Sequence, residues 1–229
     1  MVKNRLDRDT IAMRVAKELQ DGEIVNLGIG IPTLVSQYLP DGRSVQYHSE
    51  NGVLGFGPMA ETGEEDLDII NAGGQFLSLV RGMAFFHSAE AFAMIRGGHV
   101  DVAVLGAFQV SQAGDLANWM VPERGVGSVG GAMDLAVGAK KIIVAMEHNG
   151  RNGEAKLVSN CSYPLTAKRC VSLIVTDIAV IEVSSSLGHD PGSAGFVLKE
   201  VAPGWSSQEV QDLTDAPLCV SENLREIEL

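Results

Sequence analysis

The 229-residue sequence lacks any apolar run near the roughly 18 residues of a membrane span. Its longest stretches, such as Ile142 to Met146 and Leu173 to Val175, are far shorter. No apolar core follows the polar residues Met1 to Asp9, so a secretory leader is not expected. Cysteine is sparse: Cys161, Cys170 and Cys219 lie far apart and form no C-x-x-C pair, which reads as reduced thiols in a cytoplasmic protein. Basic residues are few, 17 Lys and Arg against 29 Asp and Glu, for a net charge of −12. That balance excludes the basic face a duplex-binding protein needs to displace phosphate counterions. Small anions remain possible ligands, because local positive charge or aligned backbone N–H groups suffice for them. No H-E-x-x-H or comparable metal-ligand spacing occurs, and neither metal nor resident cofactor is expected.

What is present describes a chain with a real core. Hydrophobic residues make up 45% and charged residues 20%, which points to one globular domain spanning 1–229. Glycine is in excess, 26 residues clustered between strand-like runs, as expected where backbone approaches a ligand or neighbouring backbone. Helical spacing predicts an amphipathic helix from Asp7 to Gln20, with Asp7 or Asp9 as cap. A β-rich run, Glu23 to Leu27, then enters Gly28-Ile29-Gly30-Ile31-Pro32-Thr33 and a helix over 33–38, an α/β opening. Strands are predicted at 44–48, 100–105, 142–146, 171–176 and 179–183, and helices near 87–95, after the Gly125 to Asp134 cluster, and near 206–213. Val100 to Leu105 is a continuous apolar run, as in a parallel strand buried on both faces. After Ser184 the pattern loosens.

Two motifs can carry chemistry. The Gly28 to Thr33 loop, between strand and helix, can hold a phosphate or carboxylate on its N–H groups. It is not a P-loop, because no Gly-Lys-Ser/Thr follows. Gly28 and Gly30 fit the first two glycines of a dinucleotide fingerprint, with Glu50 about 20 residues on, but Thr33 holds the third glycine position and Pro32 stiffens the turn. A plain tight turn is the bland alternative. The second motif is Ser49-Glu50-Asn51-Gly52, a carboxylate at the carboxyl end of a strand, where open α/β sheets bind ligands. A solvated acid on an Asn-Gly turn is its bland reading. The apolar wall Val53 to Pro58 favours a partly desolvated glutamate able to attack an acyl carbon.

Five segments together resemble the β subunit of the family I CoA transferases, of the 3-oxoacid type: Asn26 to Pro32, Ser49 to Gly52, Ile95 to His99, Gly114 to Trp119 and Gly130 to Leu135. The match runs in register from about Asp7 to about Val183, leaving 184–229 as a looser edge. The resemblance implies an open, mostly parallel α/β sheet flanked by helices, related to that of the sugar-phosphate isomerases. It makes Glu50 the nucleophile of ping-pong CoA transfer, passing through acyl-glutamyl anhydrides and a glutamyl-CoA thioester, with water excluded. CoA is then a substrate carried on Glu50. The same resemblance puts Gly28, Ile29, Gly30 and Ile31 against the pantetheine arm. It makes the Gln109 amide and the Gly130 N–H oxyanion donors, and gives Lys156 a part in CoA binding beside its bland reading as a surface lysine. His99 and His148 carry no role over.

The resemblance also implies half an enzyme. The Gly-Gly-Phe-Gly loop of the α subunit is absent, so a separate α chain, in an α2β2 assembly, is the expected partner. The expected reaction moves CoA from succinyl-CoA to a 3-oxoacid such as acetoacetate, with 3-oxoadipate the competing acceptor. A dinucleotide-dependent oxidoreductase and a non-catalytic ligand-sensing domain are the alternatives from other classes. Two stretches depart from the family pattern. The segment 184–195 is longer than a short turn and reads as an exposed hairpin loop, and Val126-Gly127-Ser128-Val129 replaces a frequent Lys-Gly-Met-Gly at the CoA entrance.

Overall fold

The computed structural model describes residues 3–185 and 194–229. In chain order the elements are α1 (Arg8–Ala16), β1 (Ile24–Leu27), α2 (Ile31–Leu34), β2 (Gln46–Ser49), β3 (Val53–Leu54), β4 (Ala84–Phe85), α3 (Ser88–Arg96), β5 (Val102–Leu105), β6 (Gln109–Ser111), β7 (Leu116–Ala117), α4 (Ala132–Gly138), β8 (Lys141–Ala145), β9 (Leu157–Val158), β10 (Val171–Val175), β11 (Ala179–Ser184), β12 (Gly195–Val201), α5 (Ser207–Asp212) and β13 (Leu218–Glu226). Ten strands form one sheet in the order β13-β12-β11-β10-β8-β5-β1-β2-β3-β4, and β7-β6-β9 form a small second sheet. The centre, from β10 through β8, β5 and β1 to β2, is parallel. Antiparallel pairs lie outside it, at β10–β11, β11–β12, β2–β3 and β3–β4.

The central strands are covered on both faces, so successive residues serve different cores. Val102 and Val104 join the cluster that contains Ile11, Val15 and Leu19 of the N-terminal helical segment, whereas Ala103 and Leu105 join the cluster of Ile95, Leu135 and Leu157. Ile142 and Val144 likewise face one way and Ile143 and Ala145 the other. Helix α1 starts where expected, because the Asp7 carboxylate accepts the Thr10 N–H at 2.8 Å. It ends at Ala16, and turns carry the chain through the rest of the predicted span.

Two sequence expectations change, and a third lies mostly outside the described residues. The helix placed at 33–38 begins at Ile31 with Pro32 in its first turn, where a missing N–H costs nothing, and tightens to a 3-10 turn over Val35–Gln37. The stretch after Ser184 is not loose: β12 and β13 are seven and nine residues long. Their signal was hidden because β13 is an edge strand with little buried surface, and because β12 carries a buried Glu200 in an ion pair with Arg14. Most of the anticipated hairpin loop, residues 186–193, lies outside the described residues; the strands that flank it pair antiparallel, Ser184 opposite Gly195.

Candidate active site

The chain runs from β1 to β2 on one side and returns to β5 on the other. The carboxyl ends of β1 and β5 therefore part at a topological switch point, where open α/β sheets form their crevice. A cavity of about 490 Å³ opens there. Gly28 follows β1, Ser49 and Glu50 end or follow β2, Gly106 follows β5, and Met146 and Glu147 follow β8; all line it.

The four residues of the Ser-Glu-Asn-Gly motif divide the work. Ser49 Oγ accepts the Ala72 N–H at 2.8 Å, and Asn51 Nδ2 donates to the Ile70 carbonyl at 2.7 Å, so both pin the 70–72 segment beside the cavity. Gly52 sits at φ +112°, where a Cβ would lie 2.0 Å from the Phe86 carbonyl oxygen, and only glycine lets the two backbones meet. Glu50, half-buried, is left to project into the cavity.

Its two carboxylate oxygens have different surroundings. Asn26 Nδ2 donates to Oε2 at 3.1 Å, and a Cβ added to Gly131 would come within 3.2 Å of Oε1, so that oxygen faces bare backbone. Asn26 also bonds to His48, its register partner in the β1–β2 ladder. Sequence reading named neither Asn26 nor His48 as a site residue. The available signal was a lone asparagine inside the apolar run Ile24–Leu27, which is 1% exposed and needs polar partners.

The remaining sequence-derived residues divide. Gly28, Ile29 and Ile31 line the cavity, and Ile29 stands 78% exposed at its mouth. Gly30 does not line it; at φ +96° it makes the turn. Gly130 lines the wall just before α4, along with Ser128 and Val129 from the departing 126–129 stretch. Lys156 also lines the cavity; its Nζ donates to the Glu147 carbonyl at 3.1 Å, and burial pulls its pKa down.

Gln109 lies apart from these residues. It sits on β6 of the small sheet, outside the cavity, and its amide is committed elsewhere: Nε2 donates to Ser162 Oγ at 3.0 Å, and Oε1 accepts the N–H groups of Ser162 and Tyr163. An amide so engaged braces the 162–163 backbone. His99 is exposed and off the cavity. His148 is fully buried between Thr176 and Thr214, and burial lowers its pKa to about 4, the mark of a neutral structural histidine. Among the described residues no His, Cys, Asp and Glu cluster could hold a metal ion, and no helix is long and apolar enough to cross a membrane.

Residues 8–212 match the family model described as Coenzyme A transferase. The chain belongs to the coenzyme A transferase family. The match extends past Val183, so the family likeness covers β12 and α5 as well. This transferase chain is 51% identical over 218 residues to the B-type subunit of 3-oxoadipate CoA-transferase from Pseudomonas putida, covering 95% of this chain and 98% of the relative. It is 48% identical over 209 residues to the B-type subunit of succinyl-CoA:3-ketoacid coenzyme A transferase from Helicobacter pylori, covering 91% and 97%. The mouse mitochondrial succinyl-CoA:3-ketoacid coenzyme A transferase 2B is 47% identical and covers 97% of this chain, yet this chain spans only 42% of that protein. Among solved structures, an acyl-CoA transferase from Escherichia coli superposes with a TM-score of 0.73 at 21% identity, over 99% of this chain and 43% of that one. At that identity the likeness is one of fold, and it confirms the open α/β sheet. Family membership also sets aside the dinucleotide and ligand-sensing alternatives.

Proposed function

We propose that this chain is the nucleophile-bearing half of a 3-oxoacid CoA-transferase, moving CoA from succinyl-CoA to a 3-oxoacid such as acetoacetate. The observation that carries the reading is the Glu50 carboxylate at the switch-point cavity, with Oε2 held by Asn26 and Oε1 against the bare backbone of Gly131. A Glu50 oxygen attacks the thioester carbonyl, the C–S bond breaks, and an acyl-glutamyl anhydride forms with release of CoA thiolate. The thiolate attacks the glutamyl carbonyl, the donor acid leaves, and a glutamyl-CoA thioester remains. The acceptor carboxylate then attacks that carbonyl and expels the thiolate, giving a second anhydride. Attack of the thiolate on the acceptor's acyl carbon restores the Glu50 carboxylate. CoA is thus a substrate held covalently, and no resident cofactor takes part.

Each attack develops negative charge on a carbonyl oxygen, and the Gly130 N–H is the donor we assign to it. Gly28, Ile29 and Ile31 lie along the pantetheine arm, and Lys156, which also lines the cavity, takes part in holding CoA. An α subunit completes the enzyme in an α2β2 assembly; the relatives named as B-type subunits, and the mouse protein more than twice the length matched, support a partner. The three free thiols suit the cytoplasm. The Pseudomonas putida relative favours a second reading, with 3-oxoadipate as acceptor.

The test is to incubate the chain and its α partner with succinyl-CoA, reduce with borohydride and map peptides by mass. A reduced adduct on Glu50 is expected, together with loss of turnover in Glu50→Ala. An unmodified Glu50, or turnover retained by Glu50→Ala, overturns the reading. Acetoacetate, 3-oxoadipate, acetate and butyrate as acceptors then decide between the substrates.

A further inference from the structure

Asn26 has two amide N–H groups and three acceptors around them. One N–H reaches Glu50 Oε2; the other is shared between His48 Nδ1 at 3.1 Å and the His48 carbonyl at 3.2 Å. Both side chains are almost wholly buried, Asn26 at 1% and His48 at 2% exposure. An imidazole nitrogen accepts a hydrogen bond only when it carries no proton, so the His48 ring proton sits on Nε2. Among the described residues Asn26 Oδ1 has no hydrogen-bond partner. Turning the Asn26 amide over would set Oδ1 against the Glu50 carboxylate and remove the donor from it. An acceptor at His48 Nδ1 therefore selects the same amide orientation that Glu50 needs.

We propose that His48 is a positioning residue of the transfer reaction, its bare Nδ1 fixing the Asn26 amide so that it donates to Glu50 Oε2. The inference rests on Glu50 being the nucleophile. The strand geometry makes the coupling direct: Asn26 and His48 are lateral neighbours in parallel strands, and Glu50, two residues beyond His48, accepts from the same Asn26 amide. Phe86 stacks on the ring with centroids 6.4 Å apart, which limits its rotation.

The arrangement is sensitive to protonation. A proton on Nδ1 would face the Asn26 N–H, and the amide would turn its oxygen toward Glu50. Burial lowers the His48 pKa, opposed by the Glu50 charge and by the Ala91 backbone, and so keeps the ring neutral at neutral pH. The neighbours from the packed elements are Asn26 of β1, Leu54 of β3, Phe86, and Ala91 of α3, all uncharged. Glu90 and His87 at the start of α3 are engaged with each other's backbone in a capping box, which leaves Glu50 as the charge acting on the ring.

The experiment compares His48→Leu and His48→Asn, each assembled with the α partner, by kcat, by KM for both substrates and by pH profile. The Asn side-chain oxygen can stand where Nδ1 lies, and it does not titrate. Loss of a hydrogen bond that orders a charged group predicts a fall in kcat of about tenfold or more for His48→Leu, with KM changed by less than about threefold. His48→Asn is expected to recover kcat to within about threefold of the natural chain and to shift the acid limb of the profile to lower pH. Natural-level kcat in a folded His48→Leu protein overturns the inference, as does a His48→Asn protein as slow as His48→Leu. If His48→Leu does not fold, an acid limb unmoved in His48→Asn overturns it alone. Glu50 adduct mapping on the natural complex runs in parallel: no adduct means that the reading beneath the inference has failed, whereas an adduct together with either negative result rejects His48 alone.

Discussion

Asn26 Nδ2 donates to Glu50 Oε2 at 3.1 Å from the neighbouring strand, so the Glu50 carboxylate is gripped by one oxygen while the other lies against the bare backbone of Gly131. A carboxylate free to rotate would present its oxygens in many directions, and the ladder between β1 and β2 removes that freedom without using a charge. The grip comes from a rigid sheet, not from a loop.

Asn26→Asp keeps the shape and replaces the donor with an acceptor beside Glu50. Two carboxylates at this distance repel, and kcat at neutral pH is expected to fall by about 10- to 100-fold, the equivalent of one hydrogen bond to a charged group. Steady-state kinetics with the assembled enzyme, alongside a thermal melt to confirm folding, measure this.

Gly131 and Gly130 should separate activity from stability. Gly131 has φ −86°, acceptable to alanine, but the added Cβ would press on Glu50 Oε1 at 3.2 Å and on the Phe92 ring at 3.4 Å. Gly131→Ala is therefore expected to fold with a near-normal melting temperature and lose activity. Gly130, at φ +51° with open space around its Cβ position, should show a stability cost of about 1 kcal/mol when changed to alanine, from left-handed backbone alone. Melting curves and activity on the two variants distinguish the effects.

His148 should make stability depend on pH. Its folded-state pKa, about 4, lies below the ordinary 6.5, so the unfolded chain binds the proton first as pH falls. Stability is present above about pH 6.5 and is lost between there and about pH 4, by about 3 kcal/mol. Urea titrations across this window should show the loss in the natural chain and a smaller one in His148→Gln, even though that variant is weaker at neutral pH.

Arg14 tests the link between α1 and β12. Its guanidinium donates to both Glu200 oxygens, at 2.7 and 3.1 Å, with both side chains under one-tenth exposed. Burial raises the Glu200 pKa, but bonds from Arg14 and Arg225 outweigh it and hold the carboxyl low. Arg14→Met should cost about 3 kcal/mol by leaving a buried charge underpaired, and adding Glu200→Leu should cost less than the sum of the single changes. A double-mutant cycle by urea unfolding gives the coupling.

The legible parts of the fold were those with strong local signals. Val102 to Leu105 and Ile142 to Ala145 are apolar throughout because helices or a second sheet cover both faces, and α3 runs over Ser88–Arg96, where a helix was expected near 87–95. Strands of two or three residues, such as β3, β4 and β9, have no period to read. The direction of Gln109 was illegible for a related reason: a neighbour of apolar strand residues can point to either side of a short strand, and here it turns to the 162–163 backbone.

By itself the sequence determined the Ser-Glu-Asn-Gly motif, the strand it follows and the apolar segment beyond it, since these are local in the chain and carry their own pattern. It also determined the family. The tertiary structure alone decided what orients Glu50. Asn26 is 24 residues away and becomes its partner only because β1 and β2 pair in parallel with Asn26 opposite His48. Gly131 arrives from still further along, carried by α4 against the cavity. Strand register and helix packing are collective properties of the folded core, and no single stretch of sequence contains them.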